Sequence, residues 1–387
     1  MNKLLIIFIS LIFFIFPLGQ LTKLPLGIPG ISIYLHDLMI VLLDIILLFG
    51  LLKKKLPFKL NFFDKLIICF ILILLFSWLI NLKRWGSGNS FLGLLYWLRW
   101  TSYSGIYFGV KQLAKKYKNQ WGIRAKKLII GSGVSTAIIG LAQYILIPDL
   151  RFMKFFNWDD HYYRLVGTFF DPAFIGIIIT LTILFLLITV QKKNFNLYCL
   201  LVILSISLFL TYSRSSYLAL FAGLFLFSVI RKRIKLFIVA VVFGIGVMHF
   251  LPRYSGESTN VGRFSTIFSR LDNYHQSFLI AKENYLLGVG FNNTRLIKKE
   301  KGYLSDNFLL SHSGSGVDNS FLFVAITSGI IGILLFITFY IFIIRNKLLS
   351  ILFIPLIIHA QFNNTLFYPW ILIWQWLILG SFFKDDK

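Results

Sequence analysis

The chain has 387 residues, of which 57% are hydrophobic, 18% aromatic and 14% charged, with a mean hydropathy of +0.79. Soluble domains keep about a quarter of their residues charged, so this composition excludes an ordinary soluble enzyme. The net charge of +24 would suit a nucleic-acid partner. The Lys and Arg residues fall instead in short clusters between apolar runs, the pattern that membrane topology imposes, and no nucleic acid is expected.

Apolar runs predict spans at 4–19, 30–51, 65–82, 91–110, 128–147, 173–190, 197–210, 217–230, 236–251, 318–344, 348–360 and 370–383. A helix needs ~20 such residues to cross the hydrocarbon. The expected fold is an all-α integral membrane protein: a polytopic bundle of about 12 transmembrane helices with a large extracytoplasmic loop bearing an amphipathic helix. The first run, Leu4 to Phe16, resembles a signal peptide, but PLGQLTKLPLG offers no small-residue cleavage site, so an uncleaved first span is expected. Cys69 and Cys199 lie inside apolar runs and read as buried small hydrophobes, with no disulfide framework.

The cations sort by side. KKKLPFK (53–59), KQLAKKYKNQWGIRAKK (111–127), QKKN (191–194), RKRIK (231–235), RNK (345–347) and the terminal KDDK fall on one face. Cytoplasmic loops carry the excess of Lys and Arg, so both termini are expected in the cytoplasm of a bacterial inner-membrane protein. The long loop at 252–317 falls on the opposite, periplasmic face. Within it, Ile267, Leu271, Tyr274, Phe278, Ala281 and Tyr285 recur in steps of three and four. That stripe predicts an amphipathic helix lying on the membrane or roofing the bundle. Gly288 and Gly290 should end it, and NNTRLIKKEKGYLSDNFLLSHSGSGVD reads as irregular.

Charges inside a bilayer are costly and mark functional candidates. Asp37, Asp44 and Arg99 qualify. Asp37 and Asp44 lie two turns apart on one helix face, and Asp44, being deeper, should have a donor partner. Snorkelling is the alternative for Arg99, and a helix N-terminus for Asp37. On the far side stand Arg164, Arg214, Arg263 and Arg270. Guanidinium groups at the mouth of a bundle suit a diphosphate, because each donates paired hydrogen bonds and stays charged. Attraction to anionic lipid headgroups, at about 1 kcal/mol each, is the competing explanation. No metal site is expected: Asp159, Asp160 and His161 in NWDDHYY read as a solvated acidic turn.

RLVGTFFDPAFIGIII, LTYSRSSYLALFAGL, the run from Arg270 to GVGFNN, and DNSFLFVAITSGIIG occur in that order. Together they resemble the O-antigen polymerase and O-antigen ligase superfamily over residues 164–335, within a single polytopic membrane domain, 1–387. The resemblance implies transfer of a glycan from undecaprenyl diphosphate, with inversion and without metal or cofactor. It places Arg164, Arg214 and Arg270 on the diphosphate, and Arg263, which with Arg270 opens the amphipathic helix, joins them as a candidate by position. It implies the lipid-linked oligosaccharide as substrate, with a chain-length regulator and a flippase as partners. Ligases carry His-Asn, nine residues, then Gly-x-x-Gly. This chain has Asp318-Asn319, nine residues, then Gly329 and Gly332. The histidine that ligases offer as base is replaced, which favours a polymerase. Asp318, with Asn319, and His312 become the catalytic candidates. Helix capping is the other role open to Asp318, and a solvated loop position the other for His312. A ligase, a lipid-linked oligosaccharide flippase and a non-enzymatic scaffold are the rival functions. The long outer loop and the arginines gathered at one mouth distinguish this chain from a flippase.

Overall fold

The computed structural model describes residues 2–25, 30–53, 60–190, 195–252, 254, 259, 265–304 and 316–383. Arg263 and His312 lie outside the described residues. Among those described there is no strand, only two isolated bridges, Lys23 with Tyr34 and Asp149 with Tyr162. The helices are α1 (Asn2–Ile15), α2 (Leu35–Leu52), α3 (Phe62–Ile80), α4 (Leu82–Trp85), α5 (Ser87–Leu146), α6 (Pro172–Thr189) and α7 (Phe195–Phe209). They continue with α8 (Arg214–Ile230), α9 (Ile234–Phe250), α10 (Ser265–Glu283), α11 (Thr294–Glu300), α12 (Ser320–Ile344), α13 (Lys347–His359) and α14 (Pro369–Phe382).

Among the described residues, six helices are long and apolar enough to cross a membrane: α1 with its 3-10 extension to Thr22, α2, α3, α5, α6 and α12. Five shorter apolar helices, α7, α8, α9, α13 and α14, accompany them. Together they cover every apolar segment expected from the sequence. One correction concerns 111–127, which is helix rather than loop. The sixty residues of α5 would reach roughly 90 Å if straight, about three times the hydrocarbon thickness. A break at Lys118 (φ 40°, ψ −116°) divides it instead.

Local chemistry sets the helix starts. Asn61, Asp171, Ser213, Asn319 and Asn346 each accept from the first backbone N–H groups of α3, α6, α8, α12 and α13, the role their short polar side chains favour. Pro172 and Pro369 open α6 and α14, where a missing N–H costs nothing. The α6 and α14 helices are central: Trp370 to Gly380 is continuously buried. On α9 only Gly244 is buried, so its apolar surface faces outward, as a lipid-facing helix requires. Cys69 is likewise exposed and Cys199 half-buried, against the expectation of burial: both sit on helices whose outer faces are apolar.

The intramembrane charges are paired. Arg99 Nη2 meets Asp37 Oδ2 at 2.9 Å and also donates to the Ser32 carbonyl. Tyr103 donates to Asp37 Oδ1 at 2.6 Å. The Ser102 hydroxyl serves Asp44, and Gly105 leaves the space for that carboxylate. Asp37 meets α5 at Arg99 while Leu47 meets it at Gly109, so α2 and the first half of α5 run parallel. A second pair, unforeseen from the sequence, joins half-buried Lys111 Nζ to buried Asp64 at 2.5 and 2.7 Å, with Tyr107 donating at 2.8 Å.

The segment after α10 enters the bundle. Helix α12 is broken at Gly329 (φ 63°, ψ −161°), and the chain from Tyr285 to Val289 fills the gap. Ile330 N–H donates to the Tyr285 carbonyl at 2.7 Å, and Val289 N–H to the Ile326 carbonyl at 2.8 Å. Ser77 Oγ lies 2.6 Å from both the Leu287 and Thr327 carbonyls, and Trp85 Nε1 donates to Val289 at 2.7 Å. Irregular backbone within a membrane protein survives only when its polar groups are satisfied in this way. Gly288 (φ +68°) and Gly329 (φ +63°) approach the opposing backbone so closely that a Cβ would lie 2.5 and 2.3 Å from it. Gly288→Ala and Gly329→Ala should therefore lower the melting temperature of the purified protein well beyond Gly302→Ala. Gly302 also has positive φ but has open space around it, leaving only the ~1–3 kcal/mol backbone strain. Equal melting shifts for the three variants would contradict the inserted geometry.

Candidate active site

The expected amphipathic helix exists as α10, but only Tyr274 and Ala281 of its apolar stripe turn toward the protein. Ile267, Leu271, Phe278 and Tyr285 are 39–61% exposed. The inward face is Arg270, Asn273, Tyr274, Ser277 and Ile280. The helix thus roofs the bundle largely with polar groups and leaves most of its hydrophobic stripe for lipid. The segment after it, expected to be irregular, contains α11.

Four chain segments converge beneath α10. The first two sequence motifs are joined directly: Arg164 is buried and donates from Nε to the Thr211 carbonyl at 3.0 Å and from Nη2 to Tyr212 at 3.4 Å. Leu165 N–H adds a bond to the Leu210 carbonyl at 2.9 Å. Arg164 therefore fastens the turn that presents Arg214, the first residue of α8. Arg214 and Arg270 are each half-buried, near enough for their charges to repel. A pair of cations held together in this way favours an anion between them.

The third and fourth motifs meet through α10. Tyr274 donates to the Gln361 carbonyl, with the Asp318 carbonyl 3.3 Å away. Asn273 accepts from Asp318 N–H at 3.2 Å and donates to the Gly316 carbonyl at 3.2 Å. Asn319, not Asp318, caps α12, accepting from Phe321 and Leu322 at 2.8 and 3.1 Å and donating to Gln361 Oε1 at 3.0 Å. The Asp318 carboxylate accepts no hydrogen bond among the described residues. Burial pushes its carboxyl above the ordinary range, while the charges of Arg270 and Lys298 pull it back.

Lys298, on α11, is a component that the sequence pattern did not reveal. It is 2% exposed, and its Nζ donates to the Gly316 carbonyl at 2.7 Å. Burial lowers its ammonium below the ordinary lysine range, and the charges of Asp318 and Asp272 oppose that. His359 is a second such residue. It is fully buried, with Nδ1 2.7 Å from Thr365 Oγ1 and Nε2 3.4 Å from Ser216 Oγ. Ser216 continues to Ser213 at 2.8 Å, so a polar chain runs beneath the Arg214 turn. Asp159 and Asp160 are exposed while His161 is buried. Among the described residues no group of three His, Cys, Asp or Glu could hold a metal ion.

This arrangement defines a polytopic helical membrane protein whose polar site lies under an amphipathic roof, with a carboxylate facing cations. Residues 199–337 match the family model described as O-antigen ligase, bearing out the resemblance to the O-antigen polymerase and ligase superfamily. The matched region holds Arg214, Arg270, Lys298, Asp318 and the break in α12 at Gly329. No curated protein matches the chain.

Proposed function

We propose that the protein is a polysaccharide polymerase that transfers a growing glycan from undecaprenyl diphosphate to a lipid-linked repeat unit. The observation that carries this reading is the Asp318 carboxyl, relieved of capping by Asn319 and facing Arg270 and Lys298. It stands at the spacing where ligases carry histidine. In the reaction, the acceptor hydroxyl oxygen attacks the anomeric carbon and the bond from that carbon to the diphosphate oxygen breaks. Asp318 takes the hydroxyl proton, as the base of an inverting transfer must. Arg214 and Arg270 neutralise the departing diphosphate, which remains on its lipid. Arg164 positions Arg214 by holding the Thr211 and Tyr212 carbonyls.

The active site belongs on the periplasmic face in this reading, opposite the cationic loops. Reaction of Ser258→Cys, and not Lys116→Cys, with an impermeant thiol reagent on intact cells would support that orientation, and the converse would reverse it. The ligase function is the second reading, favoured by the description of the matching family. Deletion of the gene separates the two. Loss of a polymerase leaves a single repeat unit on the lipid A core, whereas loss of a ligase leaves none.

A further inference from the structure

A cavity of about 250 Å³ is lined in part by Asn89, Tyr96, Asn292, Arg295, Gly316 and Asn364. Asp318 does not line it, but Gly316, two residues before Asp318, does, and the Gly316 carbonyl is held by both Lys298 and Asn273. Arg214 does not line it. No acidic side chain lines it among the described residues. The Oδ1 atom of Asn364 is buried and accepts no hydrogen bond among the described residues. A buried acceptor without a donor is costly, at roughly 1–3 kcal/mol in general, and a ligand hydroxyl would relieve it.

The volume falls just below the ~300 Å³ lower end of common small-molecule sites, room for a sugar ring rather than a chain. The lining matches that ligand. Side-chain amides at four positions, Asn89, Asn292, Asn293 and Asn364, can pair with vicinal hydroxyls as both donors and acceptors. Tyr96 adds an aromatic ring and Arg295 a guanidinium to the wall. The geometry points to this cavity as the acceptor's carbohydrate subsite, holding the sugar whose hydroxyl meets Asp318. This assignment rests on the glycan-transfer reading above. It separates the two substrates: the donor diphosphate at Arg214 and Arg270, and the acceptor sugar between α5, α11 and Asn364.

The full chain in nanodiscs tests it. The acceptor probe is the oligosaccharide released from the producing cell's own lipid-linked repeat unit, without its lipid. Arg295→Gln and Tyr96→Leu should each raise the KM for this acceptor about tenfold and leave the KM for the lipid-linked donor unchanged. Arg214→Lys should do the reverse. A rise in donor KM alone, or no change in either, would overturn the assignment. A second measurement uses only the unaltered protein: the same oligosaccharide bearing a diazirine should label peptides containing 89–96, 292–296 or 364. Labelling confined to other peptides would overturn it. If glycan passes only to lipid A core, the polymerase reading fails. The same KM comparison with lipid A core as acceptor then still decides the subsite.

Discussion

Asp318→Asn is expected to lose about 10²–10⁴ in turnover, the usual worth of a general base, while the protein melts at its normal temperature. The two effects separate because Asn319 supplies the cap of α12. A purely structural Asp318 would give the opposite pair, a normal rate or a lowered melting temperature. Asp318→His should recover part of the rate, since it restores an imidazole at the spacing that ligases use. His312→Ala tests the competing base: full activity of Asp318→Asn together with a dead His312→Ala would transfer the role to the histidine. The pH profile gives an independent check. Only the ionised carboxylate accepts a proton, so the rate must fall as pH drops through the Asp318 pKa. Burial raises that pKa above the ordinary carboxylate value of about 3.9, so the acid limb lies at a higher pH than for an exposed aspartate. The Lys298 charge lowers it. Lys298→Met, which keeps an unbranched side chain but removes that charge, should therefore move the acid limb further up. An unmoved limb would show that Lys298 does not act on the base.

Arg214→Ala and Arg270→Ala should abolish polymer without preventing membrane insertion, and Arg214→Lys should retain partial activity at best. Lysine keeps the charge but lacks the planar fork that pairs with phosphate oxygens. Arg164 differs in kind. Its two carbonyl bonds are internal, and hydrogen bonds to a charged group contribute about 1.5–3 kcal/mol each. Arg164→Ala should therefore lower the melting temperature, which Arg214→Ala should not. Wild-type polymer from either Arg214→Ala or Arg270→Ala would remove that residue from the diphosphate site.

The helical bundle was legible because apolar runs announce themselves over twenty residues. The bounds of individual helices follow from caps such as Asp171 and Asn319. What the pattern could not supply was partners. Asp37, Asp44 and Arg99 stand out as charges in apolar surroundings, yet only packing shows Arg99 with Asp37 and Asp44 with Ser102. The stripe from Ile267 to Tyr285 predicts a helix but not which medium it faces. A 3.6-residue period is the same against lipid as against protein. Gly329 follows Thr327 and Ser328 within a long apolar run, a weak break signal, and nothing local shows that the Tyr285–Val289 segment fills the break from another part of the chain. Lys298 looks like one member of a solvated KKEK run until α11 turns it inward to Gly316. His359 carries no motif and is identified only through Ser216 and Thr365.

The most direct test is reconstitution of the purified chain in nanodiscs with radiolabelled lipid-linked repeat unit as its sole glycan substrate. A polymerase produces a ladder of lipid-linked products differing by one repeat unit, with polyprenyl diphosphate released at each step, and the ladder is absent with Asp318→Asn. Absence of a ladder from the unaltered protein, together with transfer of one repeat unit to added lipid A core, would contradict the polymerase and establish a ligase.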